Sequence, residues 1–107
     1  MVDREIRNII LQFVNALTAK GIHVEKAILY GSHTPRNIRP GSDLDIAIVS
    51  PDFGKDRYEE RKMLLQLAWR IDPRIETIPI SSKFYENDTK IPLIYEMKQK
   101  GIELESI

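Results

Sequence analysis

The apolar positions of this chain fall into two periodicities, and their alternation predicts the order of elements. In residues 4–20, Ile6, Ile9, Ile10, Phe13, Val14 and Leu17 recur at helical spacing. Asp3 is the expected N-cap, and Lys20-Gly21 the expected stop, with a cation in the last turn and a glycine just beyond it. The short run Lys26-Ala27-Ile28-Leu29-Tyr30, halted by Gly31, reads as a buried strand. Residues 31–42 hold two prolines, two glycines and Asn37 and read as loop. Asp43-Leu44-Asp45-Ile46-Ala47-Ile48-Val49 is a second strand, closed by Ser50-Pro51-Asp52, and Phe53-Gly54-Lys55-Asp56 is loop.

A second helix is predicted over about 56–71, with Leu64, Leu67, Ala68 and Ile71 as its apolar stripe and Glu59, Glu60, Arg61 and Lys62 on its solvated face. Asp72-Pro73 breaks it. Residues 74–80 read as a third strand, which Pro79 assigns to a sheet edge or a strand end. A polar loop from Ser81 to Asp88 leads to a last helix near 90–100, carrying Ile94 and Met97 and stopped by Gly101. The alternating Ile102-Glu103-Leu104-Glu105 suits a short final strand. Strands separated by helices indicate an α+β sandwich, a small mixed β-sheet with helices packed on it.

Composition narrows the function classes. A length of 107 residues leaves room for one domain, residues 1–107, with a modest core. Sixteen basic and sixteen acidic residues cancel, so no general footprint for DNA or RNA is expected. The absence of cysteine removes disulfides, zinc-thiolate sites and thiol nucleophiles. The charged start, Met1-Val2-Asp3-Arg4-Glu5, and the lack of a long apolar run predict a cytoplasmic protein without membrane spans. Exposed strand edges and a small core would allow a homodimer.

The chemistry concentrates in Gly31-Ser32, ten residues of spacing, and Asp43-Leu44-Asp45. A Gly-Ser turn after a strand lets backbone N–H groups and a hydroxyl approach phosphate oxygens. Free N–H groups of a helical turn beginning there would favour the same anion. Asp43 and Asp45, at i and i+2 of a strand, point to one face about 6–7 Å apart. Two like charges on one face repel, and a divalent cation relieves them. Magnesium suits the set because it takes one or two carboxylates together with phosphate oxygens and water. Glu76 in Arg74-Ile75-Glu76-Thr77-Ile78 is the expected third carboxylate of a two-metal site. Its period-2 partners Ile78 and Ile80 are apolar, as Ala47 and Val49 are for the aspartates, so each acid opens a face that becomes apolar further along. The reaction class that fits is in-line attack of a hydroxyl on a phosphorus atom of ATP or another nucleoside triphosphate, with pyrophosphate leaving if the α-phosphate is attacked.

Gly31-Ser32-x10-Asp43-x-Asp45, preceded by a helix and followed by a separate acidic strand, resembles the DNA polymerase β-like nucleotidyltransferase superfamily. At this length the chain is similar to the minimal nucleotidyltransferases, the antitoxin partners in HEPN/MNT toxin–antitoxin pairs. Asp72-Pro73-Arg74-Ile75-Glu76 and Pro92-Leu93-Ile94-Tyr95-Glu96 also resemble the C-terminal half of those proteins. The resemblance implies that Gly31 and Ser32 contact the triphosphate and that Asp43, Asp45 and Glu76 are the catalytic, metal-binding acids. It further implies transfer of a nucleoside monophosphate, commonly AMP from ATP, to a hydroxyl on a HEPN-domain partner. The chain departs from many members after Ser32, where His33-Thr34-Pro35-Arg36-Asn37 replaces x-Ala-x-Gly with a stiffer, bulkier turn.

Other readings weigh against these. A lone Gly-Ser is a turn and a lone Asp-x-Asp a strand edge; only their joint spacing points to chemistry. Glu76 is otherwise an exposed edge glutamate, and His23, His33, Arg36 and Arg39 are otherwise solvated. Trp69 and Phe84 read as packing or interface residues. No Gly-Lys-Ser/Thr P-loop occurs, and the ligands of an EF-hand are incomplete. The alternative function is a non-catalytic nucleotide-binding module that acts by complex formation with a HEPN-type partner.

Overall fold

The computed structural model of the chain describes residues 4–29, 44–87 and 102–104. Helix α1 (Arg4–Ala19) precedes strands β1 (Lys26–Leu29) and β2 (Leu44–Ser50). Helix α2 (Arg57–Ile71), strand β3 (Ile75–Ser81), helix α3 (Ser82–Asn87) and strand β4 (Ile102–Leu104) follow. The strands form one sheet in the order β3-β2-β1-β4. The β1–β2 and β1–β4 pairs are antiparallel, while β2 and β3 are parallel and joined through α2. This is the predicted α+β arrangement with a small mixed sheet, and β3 lies at its edge as Pro79 requires.

The predicted stop of α1 has a clear physical form. Ile22 N–H donates to the Leu17 carbonyl (3.1 Å) and Gly21 N–H to that of Thr18 (3.0 Å), the paired bonds of a Schellman cap. Gly21 adopts φ +88°, a conformation that costs a residue with a Cβ. Ile22 then packs against the core. Asp56 caps α2 by accepting from Glu59 N–H (3.2 Å).

β2 is central and apolar on both faces, as a strand covered on both sides must be. One face, Leu44, Ile46 and Ile48 with Ala27, Leu29 and Ile75, meets α1 and α2 through Phe13, Leu17, Leu64 and Ala68. The other face carries Ile28, Ala47, Val49 and Ile80, packed with Tyr85 of α3.

α3 replaces the polar loop expected from Ser81 onward. Ser81 Oγ accepts from Phe84 N–H (3.1 Å), capping the turn. Ser82 donates its hydroxyl to the Glu25 carboxylate. Burial of Tyr85 against the second face then holds a helix that serine and asparagine content does not announce. The Lys26 ammonium lies 5.7 Å from the centroid of the Tyr85 ring, a cation–π contact on the same face. Asp3, Tyr30, the loop at 31–42 and the helix expected near 90–100 lie outside the described residues, as does Glu105.

Candidate active site

Asp45 follows the first residue of β2, and Glu76 follows the first residue of β3. The parallel ladder pairs Leu44 with Ile75 and Asp45 with Glu76. Residues paired in this way project to the same face from strands about 4.8 Å apart. The two carboxylates therefore share one end of one face, with Asp45 half-buried and Glu76 exposed. Beyond them on that face lie Ala47 and Val49 on β2 and Ile78 and Ile80 on β3. The predicted face, acidic at its start and apolar beyond, is thus present on two adjacent strands.

The pairing is set by the turn between α2 and β3. Asp72 caps the C-terminus of α2, with its N–H on the Ala68 carbonyl (2.9 Å). Its Oδ1 accepts the Arg74 N–H (2.9 Å), closing an Asx turn across Pro73. The Arg74 guanidinium grips the same carboxylate in bidentate fashion, Nε at 3.0 Å from Oδ1 and a terminal nitrogen at 2.8 Å from Oδ2. This hydrogen-bonded pair holds the Asp72 carboxyl below the usual carboxylate range and raises Arg74 further above its ordinary value. The Arg74 carbonyl, fixed by the turn, accepts Leu44 N–H (2.8 Å) as the first rung of the β2–β3 ladder. One rung later Asp45 and Glu76 are opposite each other. Asp72 and Arg74 are thus positioning residues, signalled in the sequence by Asp-Pro-Arg immediately ahead of a strand.

The two acids brought together are hard oxygen donors of like charge on one face, in a chain without cysteine. Such a donor set fits magnesium better than a softer metal. Among the described residues no group of three His, Cys, Asp or Glu side chains converges as a complete ligand set. Asp43, the expected partner of Asp45 at i and i+2, lies outside them, as do Gly31, Ser32, His33, Arg36 and Arg39. The exposed His23 uses its backbone N–H on the Asp52 carboxylate (2.8 Å). Trp69 and Phe84 are exposed, at 60% and 39%. Among the described residues no helix is long and apolar enough to cross a membrane.

No curated protein matches the chain. The family model described as "Polymerase beta, Nucleotidyltransferase" matches residues 12–106, a span that includes Gly31-Ser32, Asp43-Leu44-Asp45 and Glu76. The element order and the mixed sheet agree with that fold. The chain therefore belongs to the polymerase β nucleotidyltransferase family, whose members transfer nucleotidyl groups.

Proposed function

We propose that the protein is a magnesium-dependent nucleotidyltransferase that moves AMP from ATP to a hydroxyl on a partner protein of the HEPN toxin type. The observation that carries this reading is the register of Asp45 with Glu76, which puts two hard oxygen donors on one face of adjacent strands. Asp43, Asp45 and Glu76 are the residues that would hold magnesium, and Gly31 and Ser32 those that would hold the triphosphate. Bound there, magnesium would neutralise phosphate charge and lower the pKa of the attacking hydroxyl. The hydroxyl oxygen forms a bond to the α-phosphorus, the bond to the β-phosphate oxygen breaks, and pyrophosphate leaves while the hydroxyl proton passes to solvent. Glu76 is the exposed member of the pair.

Two measurements test this. Calorimetric titration with ATP and magnesium should show Asp45→Asn losing affinity at least about 100-fold, since replacing a direct ligand exceeds the usual effect of an outer-shell change. Its thermal stability should stay close to wild type, because asparagine keeps the size and shape of the half-buried side chain. Incubation with α-labelled ATP, with and without the co-purified partner, should label the partner. Undiminished affinity in Asp45→Asn would refute the metal assignment. Absence of label, with partner inhibition unchanged in Asp43→Ala/Asp45→Ala, would leave a stoichiometric binding module.

A further inference from the structure

An open groove of about 670 Å³ lies at the outer edge of β3, between α2 and α3. Ile78, Pro79 and Ile80 form its floor, with Tyr58 of α2 and Phe84 of α3 beside it. Tyr58 is 74% exposed, so two of the three large hydrophobic side chains exposed among the described residues stand on this one groove.

The border is basic. Arg57 and Arg61 line the groove one helical turn apart, both exposed and without an ion pair among the described residues. The acid beside them is already committed. The Glu60 carboxylate accepts the N–H groups of Gly54 (3.0 Å), Lys55 (3.1 Å) and Asp56 (3.2 Å). The groove border therefore carries two guanidinium groups against one carboxylate, and that carboxylate is held by the loop amides.

The backbone limits how it enters. Because Leu44 N–H bonds to the Arg74 carbonyl, alternation along the parallel ladder turns the peptide groups of residues 74, 76, 78 and 80 toward β2. Those of 75, 77, 79 and 81 face outward. Pro79 thus leaves the inner ladder intact and removes a donor from the middle of the free edge, which blocks addition of a continuous strand.

We infer that this groove docks an acidic amphipathic helix of a partner protein. Apolar side chains of that helix seat on Ile78 and Pro79 between Tyr58 and Phe84, and its carboxylates meet Arg57 and Arg61. None of the groove residues belongs to the carboxylate pair, so the docking is independent of transfer chemistry. Glu76 nevertheless lies only two residues before Ile78 on the same strand, about 7 Å away.

The test pans a random 16-residue peptide library against the full chain and maps the two tightest peptides on the isotope-labelled protein by nuclear magnetic resonance. Selected peptides should combine acidic residues with apolar residues at i, i+3 or i+4. They should shift resonances of residues 78–81, the first turn of α2, and α3. Arg57→Glu/Arg61→Glu should weaken them at least tenfold and gain affinity for Glu→Lys versions of the same peptides, with thermal stability close to wild type. Should that double variant fail to fold, Tyr58→Ser gives the same comparison of affinities. The inference is overturned by no enrichment, by shifts elsewhere, or by affinities indifferent to these substitutions. It is equally overturned if a thymidine oligonucleotide displaces the peptides and binds more tightly, or if the groove proves to be a self-association surface in sedimentation.

Discussion

Glu76 and Thr77 are neighbours on β3 with opposite surroundings, because successive residues of a strand point to opposite faces. Glu76 is exposed opposite Asp45, whereas Thr77 is 2% exposed opposite Ile46 on the helix-covered face. The Thr77 hydroxyl has no hydrogen-bond partner among the described residues. A buried hydroxyl left unsatisfied carries its desolvation cost without return. Thr77→Val should therefore stabilise the fold by about 1 kcal/mol, measured by urea denaturation, with magnesium-dependent ATP binding unchanged. A loss of stability would mean that the hydroxyl has a partner in solution. The sequence shows the alternation that separates these two residues. It does not show that Thr77 is orphaned, since that depends on what packs above it.

At the scale of elements, the Asp72-Pro73-Arg74 turn decides where β3 begins and hence which residue faces Asp45. Asp72→Asn keeps the acceptor for the Arg74 N–H and removes the charge that Arg74 grips. At neutral pH this should cost about 1 kcal/mol, below the usual range for a bond between charged groups because the pair is partly solvated. The carboxyl of Asp72 titrates below its ordinary value in the folded chain, with the Arg74 hydrogen bond as the first cause. Its contribution is therefore complete above the unfolded value near 3.8 and is lost as pH falls through the lower folded value. Denaturation curves of wild type and Asp72→Asn should differ at pH 7 and converge below that range. A gap independent of pH would show that charge is not what the turn uses. α3 is the element the sequence conceals. Its six residues carry one buried anchor, Tyr85, and its cap, Ser81, belongs to the strand before it, too little for a periodic signal.

For the whole molecule, the sheet separates stability from chemistry. α1 and α2 close one face into the main core, while the opposite face begins with Asp45 and Glu76 and continues into a smaller cluster with Tyr85. A ligand that binds only when this end is assembled must raise global stability by mass action. ATP and magnesium together, at a hundredfold excess over the dissociation constant, should add about 2.7 kcal/mol to the unfolding free energy, and a chelator should reverse it. Equal stabilisation by ATP in the presence of chelator would remove the metal from the account.

The sequence by itself determined the helix α1 with its glycine stop, the three longer strands, the restriction of β3 to a sheet edge or a strand end, and the two described acids as members of one kind of face. All of these follow from interactions between residues close in the chain, where period 3.6, period 2 and the special backbone needs of glycine and proline are legible. The tertiary structure alone decided that Asp45 stands opposite Glu76 in parallel register, that the Asp72–Arg74 turn fixes this register, that a short helix buries Tyr85, and that Arg57, Tyr58 and Phe84 border one groove. Those facts join residues far apart in sequence. A one-residue slip between strands would send a side chain to the other face without altering any local pattern, so only long-range pairing could settle them.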